Sequence, residues 1–295
     1  MNREKIAILT DSCSDVPAAA LAAYPIYVLP LKVIYPDAEY LDGVEIRAEE
    51  VYSRMPQEIP KTSLPSPDAV LKILERIQAD GYEKVLAVCI SSGISGTYNL
   101  VRLMCDGFRA LQSHVVDTRN ISIGSGLLAV TAAQYVENGM AWNELIERIE
   151  QLVPESKVFF CVKTLEYLQK GGRIGKVTAF VGSALKLKPV ISCNSDGIYY
   201  TAGKALGRKA SIQKVFDLAA RFATGCADVA MCLMNGGAAL EAAALTGVLR
   251  KRIPQGRLRL RGQISPVLGV HTGPGLLGVG LLRGGGLRGI AGAAP

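Results

Sequence analysis

The hydrophobic positions fall into two kinds of segment. Short apolar runs, KIAILT at 5–10, KVLAVCI at 84–90 and HVVDT at 114–118, alternate with longer stretches of helical period. One such stretch carries Tyr98, Val101, Leu103 and Phe108; another reads GLLAVTAAQYVEN at 126–138. Alternation of this kind predicts a parallel sheet covered by helices. Further helices are predicted in the Ala-rich segment 17–23, in RAEEVYSRM at 47–55, from KTSLPSPDAV to about Ala79, and at about 142–152. IYVLPLKVIY at 26–35 and a turn at YPDAEYLDG lie between them.

From Lys157 the pattern changes. VFFCV is followed by a charged turn, KGGRIGK, and then by KPVISC and GIYYTA, separated only by Asn194-Ser195-Asp196. A short polar link between two apolar runs is a hairpin signal. A helix at 208–223, a strand in DVAMCLM, a helix at 238–250 and strands near 257–271 predict a mixed α+β domain with antiparallel pairs. The expected fold class is therefore α/β with two domains: 1–156, a mostly parallel α/β sheet, and 157–280, α+β. Residues 281–295, Gly-rich and without a period, read as a flexible tail.

Composition narrows the class. With 295 residues, 49% of them apolar, the chain exceeds the usual size of one compact domain. No apolar run approaches a membrane span, and the amino-terminal run reaches Asp11 too soon for a secretory core, so a cytoplasmic location is expected. Seven scattered cysteines without a C-x-x-C pair suggest reduced thiols, and with only His114 and His271 no metal site is expected. The formal charge is +7, but no acid follows Glu241, and the eight cations beyond it reduce the rest to −1. The body thus carries no broad positive field to gather nucleic acid. RKRIPQGRLRLRG at 250–262 reads either as a patch for anionic surfaces, with membrane contact at most transient, or as a helix end and a strand whose arginines face water.

Ligands of open α/β sheets lie beyond the carboxyl ends of the strands. Four loops there carry polar groups: Asp11-Ser12, Ser91-Ser92-Gly93, Asp117-Thr118 and His271-Thr272-Gly273, the last read as following a strand, with Thr62-Ser63 nearby in sequence to a helix start. Each could simply cap a helix; several on one edge favour a site. Hydroxyls and backbone N–H groups suit a single carboxylate better than a polyphosphate, for which no matching loop exists. GPGLLG at 273–278 matches G-x-G-x-x-G, but no acidic residue follows it to hold a ribose. Ser92, His271 and Asp11 or Asp117 supply the residue types of a hydrolase triad, yet the G-x-S-x-G elbow is absent. An acyl hydrolase and an anionic-surface binder therefore stand as alternatives to a carboxylate-binding protein.

ILTDSCSDVP, KTSLPSP at 61–67, SSGISGTY at 91–98, LEYLQKGGRIGK at 165–176, KLKPVIS at 186–192 and VHTGPG at 270–275 together resemble the DegV family of fatty-acid-binding proteins, in order and spacing. The resemblance implies a two-domain fold with a ligand cleft between the domains, a long-chain fatty acid as bound ligand, no cofactor and no catalytic residues. It implies carboxylate contacts at Thr62, Ser63, Ser92, the Gly93 amide, His271 and Thr272, with Arg173 and Arg208 in supporting or partner-facing positions. It also implies a partner fatty acid kinase that phosphorylates the presented carboxylate. One departure stands out: where the family commonly shows K-x-R, this chain has Lys204-Ala205-Leu206. Burying about sixteen methylenes at ~0.8 kcal/mol each gives on the order of 10 kcal/mol, enough for tight binding after ordering costs.

Overall fold

The computed structural model describes residues 2–180 and 187–287. The first lobe contains β1 (Ile6–Asp11), α1 (Ala18–Ala23), β2 (Ile26–Leu29), β3 (Lys32–Ile34), β4 (Glu39–Leu41), α2 (Ala48–Arg54), β5 (Lys61–Ser63), α3 (Pro67–Ala79), β6 (Lys84–Cys89), α4 (Thr97–Gly107), β7 (Gln112–Asp117), α5 (Ile123–Glu137) and α6 (Trp142–Leu152). The second contains β8 (Ser156–Cys161), α7 (Glu166–Lys170), β9 (Leu187–Cys193), β10 (Tyr199–Leu206), α8 (Gly207–Ala223), β11 (Val229–Gly236), α9 (Ala239–Arg252), β12 (Gly256–Gln263), α10 (Pro266–Thr272) and β13 (Leu276–Arg283).

The first lobe is built on a parallel sheet of order β2-β1-β6-β7, with a small antiparallel sheet β4-β3-β5 beside it. The second is a six-stranded mixed sheet, β10-β9-β8-β13-β11-β12. The β9–β10 hairpin forms as the sequence predicts, closed by Asn194, whose carbonyl and side chain take up the Gly197 and Ile198 amides.

Period-2 side chains sort both sheets. In β6, Val85, Ala87 and Cys89 pack in one core cluster with α3 and α4, while Leu86 and Val88 face the other way. In β11, Val229, Met231 and Leu233 pack with α8 and α9, and Ala230, Cys232 and Met234 face the first lobe. Helix α5 fills the space between the two inward faces. It is apolar all round and buried from Ile123 to Gln134, as expected of a helix with no solvent face. It touches β1 and β6 on one side and β8, β11 and β13 on the other. The layers are therefore α3/α4, parallel sheet, α5, mixed sheet and α8/α9.

Two expectations change. Residues 266–272 are helical, not part of a strand running to 271: Ser265 caps the first turn, Pro266 occupies its first position, where it needs no N–H partner, and Gly273 ends the helix with φ +69°. A four-residue apolar run, VLGV, does not by its period distinguish strand from helix. The segment beginning at 281 is no tail over its first residues, because β13 continues through Arg283 and Leu282 and Leu287 are buried. Residues 288–295 lie outside the described residues. No described helix is long and apolar enough to cross a membrane.

Candidate functional site

The small sheet and the late helix bring together two residues 209 positions apart. Thr62, in β5 opposite Val33, places its Oγ1 2.8 Å from Nε2 of His271, in the last turn of α10. The other ring nitrogen is buried without a hydrogen-bond partner. It lies against the turn that follows α7: a Cβ at Gly171 would stand 2.2 Å from it, so only glycine allows this approach. Arg173, in the same turn, donates to the Gly171 carbonyl at 2.8 Å. Burial first, and the Arg173 charge second, hold the His271 ring down at about 4, so it is neutral near pH 7. A buried N–H without a partner costs more than an unpaired acceptor, which favours the proton on Nε2. Nε2–H then donates to Thr62 Oγ1, and the threonine hydroxyl keeps its own proton to donate outward.

The helix that carries His271 is fixed by acids of the first lobe. Asp15 accepts from the Ser265 amide at 2.8 Å and from the Ser122 hydroxyl, and Asp42 accepts from the Val267 amide at 2.9 Å. These bonds satisfy donors that the first turn of α10 leaves free. Burial nevertheless pushes Asp15 up to about 8 and Asp42 to about 6.

Beside this pair lies a narrow apolar cavity of about 20 Å³, room for roughly one water molecule. Its walls are Ile121, Ser122 and Ile123 from the start of α5, Val158–Phe160 of β8, Leu276 and Gly278–Gly280 of β13, Met234, Ile264, and Leu268 and Thr272 of α10. It therefore lies between the lobes and is almost wholly apolar. Glycines keep one strand face bare: a Cβ at Gly280 would stand 2.3 Å from Cγ2 of Ile123, and one at Gly278 2.9 Å from Cβ of Phe160.

Other sequence-picked residues are engaged elsewhere. Ser92 is exposed, and its hydroxyl and amide donate to Asp117 at 2.5 and 3.1 Å. The Gly93 amide donates to Ser91 Oγ at 3.1 Å, and a Cβ at Gly93 would stand 2.6 Å from the Asp196 carbonyl oxygen of the β9–β10 turn. Ser91 Oγ in turn donates to the Gly197 carbonyl at 2.9 Å, so this loop staples the lobes together. The Thr272 hydroxyl returns to the Leu268 carbonyl at 2.9 Å within α10. Ser63 pairs with Lys32 and follows Thr62 in a strand, so the pleat turns it to the opposite sheet face. Asp11 accepts from the Ile90 and Cys13 amides, bridging β1 to the loop after β6. Ser92 thus has a carboxylate partner while the imidazole of His271 meets Thr62, and the residues named for a hydrolase triad are not assembled.

A family model described as "Uncharacterised protein, DegV family" matches residues 5–284. The chain belongs to the DegV family. A DegV domain-containing protein of Clostridium acetobutylicum is 41% identical over 281 residues, covering 95% of this chain and 99% of that one. Among solved structures, DegV of Bacillus subtilis, described as a fatty acid binding protein, is similar with a TM-score of 0.86 at 26% identity, over 96% of this chain and 99% of its own. A stearic-acid-binding protein of Eubacterium ventriosum gives a TM-score of 0.85 at 26% identity, over 94% and 98%.

This DegV chain carries a second Ser-Gly in SSGISGTY, Ser95-Gly96, which the sequence offers only as a near miss of the G-x-S-x-G elbow. Gly96 lies beside Leu64, two residues beyond Thr62, and Ser95 Oγ bonds the Thr97 hydroxyl at the start of α4. The doubled Ser-Gly was the available signal; nothing local distinguishes which copy faces β5. Of the two arginines, Arg173 stands by His271, whereas Arg208 is held by Glu241 through two bonds of 2.6 and 3.2 Å that join α8 to α9. Leu206 is 71% exposed at the end of β10.

Proposed function

We propose that the protein binds a long-chain fatty acid, with the carboxylate at Thr62 and His271 and the acyl chain between the lobes, where it widens the narrow apolar cavity by displacing the side chains that line it. The observation that carries this reading is the hydrogen-bonded Thr62–His271 pair at the end of α10, whose next residue, Thr272, lines an apolar cavity. The Thr62 hydroxyl supplies a donor to the anion, and the α4 amino terminus beside Leu64 adds free N–H groups and a favourable dipole. The fatty acid and stearic acid binding of the structural neighbours supports the same reading. On this proposal Ser92, Gly93 and Thr272 hold the scaffold rather than the carboxylate.

The chain then performs no chemistry and presents its ligand to a partner fatty acid kinase. Arg173, next to the head-group pair, takes the partner-facing role, since Arg208 is committed to Glu241. Native mass spectrometry of protein isolated from cells, followed by lipid extraction, tests ligand binding: a stoichiometric long-chain acid is expected, and an empty protein that also fails to take up added acid overturns it. Presentation is tested by mixing loaded protein with a fatty acid kinase and ATP; acyl-phosphate formation that weakens in Arg173→Ala is expected.

A further inference from the structure

The cavity runs along α10. Thr272 at one end of that helix lines it, and so does Ile264, just before the other end, about 10 Å away for seven helical residues. An extended long-chain acid held at His271 and directed along α10 is longer than that span and reaches Ile264. There the cavity meets a second space, a solvent-open cleft of about 640 Å³ between the lobes. Two residues, Met234 and Ile264, line both. The outer cleft is walled partly by apolar side chains that water already reaches, Val44 at 71% exposure and Leu21 at 37%.

We propose that Met234 and Ile264 form a yielding end wall between the cavity and this cleft, and that the wall sets the longest acyl chain the protein accommodates. The inference rests on the fatty-acid reading above. Ile264 is the fixed half: its amide is tied to the Asn235 carbonyl at 2.9 Å, and its branched side chain is stiff at χ1. Met234 is the movable half. Its unbranched side chain has three rotatable bonds, and its end rests on Gly262, where an added Cβ would stand 3.2 Å from Cε. Gly262 itself lines the outer cleft, so a displaced Met234 moves into that space and a terminal methyl group can follow it among Leu21, Val28 and Leu260.

The test is a chain-length series of saturated acids from fourteen to twenty-four carbons, titrated into delipidated wild type, Met234→Ala and Gly262→Ala. Wild-type affinity is expected to climb by about fourfold per methylene and then level off at a limiting length. In Met234→Ala the limit moves up by two or more methylenes, so the first acid beyond the wild-type limit binds roughly tenfold tighter than to wild type. Gly262→Ala, whose new methyl pins Met234, moves the limit down. Should Met234→Ala fail to fold by circular dichroism, the opposite shift in Gly262→Ala decides. Identical limits in wild type and folded variants overturn the end wall, whereas a wild type that binds no acid of any length overturns the fatty-acid reading instead.

Discussion

His271 offers the sharpest quantitative test, because its environment predicts how stability depends on pH. In the unfolded chain the imidazole titrates near its ordinary value of 6.5; in the folded protein burial and Arg173 hold it near 4. A depressed folded value means that this residue's contribution to stability is fully present above pH 6.5 and is lost as pH falls towards 4. Between pH 7.5 and pH 5 the unfolded chain takes up a proton that the native ring refuses, a loss of about 2 kcal/mol. Asp11, Asp15 and Asp42 act in the opposite sense: burial raises them to about 7, 8 and 6, so their contribution is greatest in acid and fades as pH rises through those values. The His271→Gln variant separates the two, since it keeps a polar side chain but removes the titration. Urea unfolding of delipidated wild type and variant at several pH values gives the difference directly. The wild type should lose about 2 kcal/mol relative to the variant on going from pH 7.5 to pH 5. A difference that stays flat over that range would mean that the native ring is solvated and protonates normally, and the neutral Thr62–His271 pair would fall with it.

Other outcomes follow from the same geometry. Thr62→Val should weaken fatty-acid retention by about 1.5–3 kcal/mol, through loss of a hydrogen bond to a charged group, while Ser92→Ala leaves retention unchanged and lowers stability, because its bond goes to Asp117; isothermal titration and thermal melts of both variants check this. Gly280→Val drives a side chain into Ile123 and should cost about 1–3 kcal/mol of stability and abolish ligand uptake, read by melting and by lipid extraction. In Asp15→Asn the loss of stability as pH rises through about 8 should shrink relative to wild type, since the asparagine has no proton to lose; denaturant midpoints from pH 6 to 9 measure it.

The strand and helix alternation of the first lobe was legible because each segment carries its own period. The hairpin at Asn194–Gly197 announced itself in the same local way. What the pattern could not carry was which surfaces meet. The period of 126–138 shows a helix, but its burial on every side depends on two sheets distant in sequence. The Thr62–His271 contact joins residues 209 apart, so no window along the chain contains it, and its placement came from motif resemblance rather than from spacing. The loops at the sheet edge illustrate the converse. Asp11, Ser92, Asp117 and Thr118 gather where a ligand was expected, yet their hydrogen bonds close turns and bridge strands. The same residue types serve both purposes, and only the partners tell them apart. Within the acid-free carboxyl-terminal stretch, Arg252 pairs with Asp217 and Arg283 with Glu155, partners that lie far away in sequence.

On the fatty-acid reading proposed above, the burial of α5 on every side limits how the ligand is exchanged. Because this helix is greasy on every flank and wedged between two sheets, prising the halves apart would wet a broad hydrocarbon seam, a penalty paid at each cycle. Loading and discharge are accordingly cheaper through small movements at the rim, around the Gly171–Arg173 turn or past a single pliant thioether, while the spine of the molecule stays shut.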